Sequence, residues 1–99
     1  MRVIARKALS DFWKRPGCAD AEGPLRAWFR EVRIRDWNGP ADVKAIFRSA
    51  SFLAENRVVF NIGGNKYRLV VAVHYAARIV FIRFVGTHAE YDRIDAKEI

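Results

Sequence analysis

The feature that most limits what this chain can fold into is a change in the period of its apolar residues near position 51. Upstream they recur every three or four residues, the spacing of one helix face; downstream they alternate, the spacing of one strand face. After a short extended start at Arg2 to Ala5, Leu9, Phe12 and Trp13 fall at i, i+3, i+4, and Pro16-Gly17 ends that helix. Leu25, Trp28, Phe29 and Val32 then fall at i, i+3, i+4, i+7, with Arg26, Arg30, Glu31 and Arg33 on the other side. Asn38-Gly39-Pro40 closes this second helix and opens a short third one, whose apolar stripe is Val43, Ile46 and Phe47.

In the second half, Val58, Phe60 and Ile62 alternate along one segment, Tyr67, Leu69, Val71, Val73 and Tyr75 along the next, and Val80, Ile82 and Phe84 along a third. Gly63-Gly64-Asn65 and Ala76-Ala77 are short enough to join them as hairpins. The expected architecture is α+β, a single domain over residues 1–99. Its antiparallel β-sheet is covered on one face by the N-terminal helices, with the N-terminal strand and Ser51 to Leu53 at its edges. Thr87-His88-Ala89-Glu90 has the spacing of a capping box and begins a short C-terminal helix.

If the cleaner apolar sets face the helices, Arg57, Asn61, Lys66, Arg68, His74 and Arg83 share the opposite face. A two-residue turn at Ala76-Ala77 puts Val70 opposite Arg83 and Arg68 on the diagonal, about 7–8 Å away, so both guanidinium groups are expected to reach one phosphate. Between Asn56 and Ala89 there are five Lys or Arg, two His and no carboxylate, in a chain of net charge +7. Such a face suits an anion, and Val59, Val70, Ala72, Ile79 and Phe81 beside the charges give a base somewhere to lie. Single-stranded RNA is the expected partner, rather than duplex DNA. His88 and Tyr91, three residues apart where the last helix starts, add acid–base and stacking chemistry next to Arg68 and Arg83.

Other chemistries find no support. No apolar run approaches the roughly 18 residues of a membrane span, the first residues lack the apolar stretch of a secretory signal, and the single Cys18 has no disulfide partner in the chain. A cytoplasmic protein is expected. No His-x-x-x-His or Cys-x-x-Cys pair occurs, so neither a metal site nor any other cofactor is expected. Gly63-Gly64 lacks the flanking residues of a phosphate loop and reads as a turn that needs positive φ. Trp13, Trp28 and Trp37 read as packing residues. Without a Gly-x-Ser-x-Gly elbow or a His partner for Cys18, the protein supplies no nucleophile of its own.

Phe60-Asn61-Ile62-Gly63-Gly64-Asn65-Lys66-Tyr67-Arg68-Leu69, followed by Ile82-Arg83-Phe84-Val85-Gly86-Thr87-His88-Ala89-Glu90-Tyr91-Asp92, resembles the signature of HigB-type toxins of bacterial type II toxin–antitoxin systems. Trp37-Asn38-Gly39-Pro40-Ala41-Asp42-Val43-Lys44 is similar to the middle segment of the same family, so the resemblance spans nearly the whole chain. It implies a RelE-like fold and an mRNA interferase that enters the ribosomal A site, contacts mRNA and 16S rRNA, and cuts the message. It also implies a HigA-type helix-turn-helix antitoxin in a hetero-oligomer with the toxin.

Metal-free cleavage of that kind uses the RNA 2′-OH as nucleophile and leaves a 2′,3′-cyclic phosphate and a 5′-OH, so the protein needs a base, an acid and cations for the phosphorane. The expected roles are phosphate charge for Arg68 and Arg83, acid or base for His88, phosphate contact or base for Lys66, and base stacking or proton relay for Tyr91. Arg57, Asn61, Asn65 and His74 are expected to contact RNA. The competing expectation is a basic module that binds RNA or the ribosome without cutting.

Overall fold

The computed structural model describes all 99 residues. In chain order the elements are β1 (Arg2–Ile4), α1 (Lys7–Trp13), α2 (Glu22–Arg33), α3 (Pro40–Ile46), β2 (Ser51–Phe52), β3 (Arg57–Ile62), β4 (Tyr67–His74), β5 (Ile79–Thr87) and α4 (His88–Tyr91), with a single 3₁₀ turn at Ala19–Ala21 before α2. Pro24 sits in the first turn of α2 and Pro40 opens α3, positions where a missing N–H breaks no helical hydrogen bond. Arg30 and Arg33 lie in the last turn of α2, where positive charge complements the helix dipole.

The five strands run in the order β1-β5-β4-β3-β2, β1 joining β5 in parallel and the rest pairing antiparallel. This is the expected meander with both short strands at its edges. Between the sheet and α1–α3 lies the main core. Phe60 is its hub: the Trp28 and Phe47 rings meet it edge-on, at centroid distances of 5.5 and 5.0 Å. Phe12 packs the same way on Tyr67, at 5.3 Å, and Trp37 is buried against Phe47. Such edge-to-face pairs add to the burial of large apolar area.

Two features depart from the sequence reading. From His74–Ile79 to Val71–Ile82 the β4–β5 register is the one a two-residue turn dictates, but Val70 pairs with Phe84 instead of Arg83. Arg83 is the extra residue of a β-bulge, and one added residue exchanges the faces of everything after it. Phe84, expected under the helices, therefore lies on the other side of the sheet with Val59 and Val70, while Val85 takes its place against the main core.

The second departure concerns the face turned away from the helices, which is not open across its middle. The chain after α4 folds back over it, burying Ala96 against Val59 and Val70, with Leu53, Phe84, Tyr91 and Ile99 packed around them. Tyr67 to Val73 are consequently all buried, because β4 is covered from both sides. Val59 and Val70, read as a resting place for a base, are the footing of this second, smaller core.

Candidate functional site

One end of the sheet gathers four of the nine expected residues, Arg68, Asn61, Asn65 and His88. The β3–β4 hairpin turns through Gly63 and Gly64, at φ +62° and +69°, the left-handed conformation that glycine adopts without strain. Just beyond it Arg68 pairs with Asn61 on one side and Gly86 on the other. Its guanidinium is turned back on the hairpin: one nitrogen donates to the carbonyls of Asn65 and Tyr67, each at 3.2 Å, and the other to the Asn65 side-chain oxygen at 2.7 Å. Arg68 is only 9% exposed, and no carboxylate pairs with it. Neutral oxygens fix its orientation and leave its charge without a carboxylate partner.

Helix α4 starts against this hairpin. Thr87 accepts from the Glu90 amide at 3.1 Å and the Glu90 carboxylate accepts from the Thr87 amide at 2.9 Å, so the expected capping box is formed. The His88 amide donates to the Lys66 carbonyl at 3.2 Å, bringing the helix start beside Arg68. The His88 Nδ1 lies 3.0 Å from the Asp92 carboxylate, one helical turn on. In the tautomer where Nδ1–H donates to Asp92, the free ring nitrogen is Nε2. Asp92 was not among the expected site residues; its i, i+4 spacing from His88 was the available signal.

Glu90 also accepts from Arg15 at 3.1 Å, tying the turn after α1 to α4. The Thr87 amide and then the Arg15 guanidinium hold its carboxyl below the usual carboxylate range. Because the folded-state pKa is depressed, the stability it brings is present above the ordinary glutamate range and is lost as pH falls through the folded value. Acidification from about pH 5 to about pH 3 should therefore loosen α4 before the sheet, and Glu90→Gln should flatten that acid transition in backbone amide exchange of residues 87–92.

Lys66 does not share the expected face. Its ammonium turns to the helical side, lies 5.4 Å from the Tyr67 ring centroid and pairs with Asp20, which also accepts from the Tyr67 hydroxyl. Lys66 and Tyr67 together hold the Asp20 carboxyl below its usual range. A lysine in a hairpin turn belongs to neither strand face, and a carboxylate across the fold decided its direction.

Arg83 does share a face with Arg68, its exposed guanidinium 5.4 Å from the Phe81 ring centroid, where His74 meets Phe81 edge-on at 5.0 Å. The bulge nevertheless sets Arg83 three residues from Gly86, the partner of Arg68, and Phe84 reaches over that interval: a Cβ built on Gly86 would stand 2.5 Å from the tip of its ring. The two arginines are thus separate cationic points on either side of an aromatic ring, not a pair closing on one phosphate. Gly86→Ala should force that ring aside, lowering stability by about 1–3 kcal/mol, measurable as a fall in urea midpoint.

Of the remaining expected contacts, Asn61 is exposed at the Arg68 corner and Asn65 orients Arg68. Arg57 is taken up by the Ile99 carbonyl, at 2.8 Å from Nε, under the returning C-terminal segment. Tyr91 is half-buried against the second core, beside Phe84. No three His, Cys, Asp or Glu side chains come together, and no helix is long and apolar enough to cross a membrane.

Residues 21–94, most of the helical layer and all of β2 to α4, match the HigB toxin family, described as the RelE-like toxic component of a toxin–antitoxin system. The mRNA interferase toxin HigB of Escherichia coli (strain K12) is 33% identical over 94 residues, which cover 93% of this chain and 88% of that protein. The mRNA interferase HigB of Shigella flexneri matches to the same extent, and that of Escherichia coli O6:H1 is 25% identical over 72 residues, 71% of this chain and 70% of that protein. The match takes in the Arg68 hairpin, the bulged strand and the capped helix whose geometry is described above, and the chain belongs to the HigB toxin family, the RelE-like toxic components of toxin–antitoxin systems.

Proposed function

We propose that this toxin is an endoribonuclease that cuts mRNA in the ribosomal A site, using the RNA 2′-hydroxyl as nucleophile and no metal ion. The observation that carries the reading is the His88–Asp92 pair, 3.0 Å apart, held beside the buried and unbalanced charge of Arg68 at the edge of a cationic face. Relatives named mRNA interferase over nearly the whole length support the same activity.

In this mechanism Asp92 orients the imidazole and stabilises its protonated form, and Nε2 takes the proton of the 2′-hydroxyl as its oxygen attacks phosphorus. Arg68 meets the negative charge that builds on the phosphorane, and solvent protonates the departing 5′-oxygen. Products are a 2′,3′-cyclic phosphate and a 5′-hydroxyl. Arg83 holds a neighbouring phosphate, and the exposed parts of the Phe84 and Tyr91 rings offer a surface to the base between. His74 and Asn61 make further RNA contacts. The basic surface sits on 16S rRNA, and the work is done in the cytoplasm. Membership of a toxin family implies an antitoxin; we take it to be a helix-turn-helix protein of HigA type that forms a hetero-oligomer with the toxin.

The test is a primer-extension map of message translated by purified ribosomes with the toxin added. New 5′ ends within codons, with 5′-hydroxyl chemistry, are expected. Intact message together with salt-sensitive ribosome binding would instead establish a basic module that binds without cutting.

A further inference from the structure

On the helical layer, the joint between α1 and α2 opens into a cavity of about 170 Å³ that the RNA reading leaves unused. The buried side chains of Leu9 and Leu25 and the half-buried rings of Trp13 and Phe29 give it an apolar lining. Its other lining residues are Arg6, Arg26, Arg30 and Arg33, all exposed, and no carboxylate lines it. Arg26 is paired with Glu22 at 2.8 Å, whereas Arg6, Arg30 and Arg33 form no ion pair. The guanidinium of Arg6 lies 4.8 Å from the Phe29 ring centroid and that of Arg26 lies 5.0 Å from Trp13. A guanidinium held on a ring face is placed in advance, with N–H groups left to meet a carboxylate.

The spacing narrows the choice of ligand. Arg26, Arg30 and Arg33 stand at i, i+4, i+7, a single ridge along α2 that rises about 10 Å at 1.5 Å per residue. Like charges at that spacing repel in an isolated helix, so an opposite charge arriving along the ridge is favourable. A partner helix with carboxylates at the same spacing matches the ridge and carries an apolar side chain on the same face. A cavity larger than the roughly 150 Å³ that takes up benzene accepts a leucine or phenylalanine side chain. A phosphate backbone would match the arginines but bring nothing apolar to the cavity.

We propose that the α1–α2 groove docks an acidic, amphipathic helix of a protein partner, an apolar side chain entering between Trp13 and Phe29 while carboxylates meet Arg26, Arg30 and Arg33. This site lies in the helical layer, across the sheet from Arg68, so it stands or falls independently of RNA cleavage.

The experiment is fluorescence anisotropy on the full chain, with a labelled helical peptide carrying glutamates at i, i+4, i+7 and leucines on the same face. Arg30→Glu/Arg33→Glu should weaken binding at least about tenfold and leave mRNA cleavage unchanged, and replacing the peptide's leucines by serines should weaken binding comparably. Both arginines are exposed, and Arg30→Gln/Arg33→Gln serves if the charge reversal impairs folding. Absence of peptide binding, equal binding to wild type and variant, or indifference to the leucines would overturn the proposal. So would a labelled oligouridine that displaces the peptide and depends on the same two arginines, since the groove would then be an RNA contact.

Discussion

Message translated in the presence of the His88→Ala protein should be cut about 10²–10⁴-fold more slowly than with the wild type, the range that a positioned acid or base contributes. The fold should survive, because the imidazole is about half exposed and its one protein partner is Asp92, while the bond that seats the helix uses the His88 backbone amide. An unchanged melting temperature with lost cleavage therefore separates chemistry from stability. Asp92→Asn should fall between the two, since the amide still accepts from Nδ1–H but no longer stabilises an imidazolium. Wild-type rates for folded His88→Ala protein would mean that another group moves the proton.

The largest loss of stability is expected on the other side of the sheet. Phe60 is 1% exposed and joins Trp28 of α2 and Phe47, just after α3, to the centre of β3. Phe60→Ala removes a ring from a site where rigid aromatic neighbours cannot collapse to fill the space, which costs about 3–5 kcal/mol. A domain of this size has roughly 5–15 kcal/mol in all, so a large share of the molecules should unfold at moderate urea. The readout is the urea midpoint followed by tryptophan fluorescence, which Trp28 reports directly. A midpoint within about 0.5 kcal/mol of wild type, the scale of surface substitutions, would show that the core is less closely packed than these contacts imply.

Much of this architecture was legible in the sequence because it is settled by near neighbours. The switch of period from 3.6 to 2 marks where helices give way to strands, Pro16-Gly17 lies just past the end of α1, Gly39-Pro40 opens α3 and Gly63-Gly64 marks a tight turn, although α2 ends at Arg33, before the Asn38-Gly39-Pro40 expected to close it. The Thr87–Glu90 box is likewise a matter of four consecutive residues, and it formed as its spacing required. Placing Arg57, Asn61, Arg68 and His74 on one face needed only alternation along β3 and β4.

What the sequence left undecided involves partners distant along the chain. Lys66 was captured by Asp20, 46 residues away, and Arg57 by the Ile99 carbonyl, 42 residues away; nothing near either cation announces those partners. The bulge at Arg83 has no glycine or proline to mark it, yet it turned Phe84 to the other face and parted the two arginines. Alternation specifies two faces for each strand, but which face meets water is fixed only when the rest of the chain has packed. Local periodicity therefore determined the elements and most of the cationic face. Tertiary packing decided how much of that face stays open, because burying Ala96 on Val59 and Val70 removes apolar surface that the strands alone would leave in solvent.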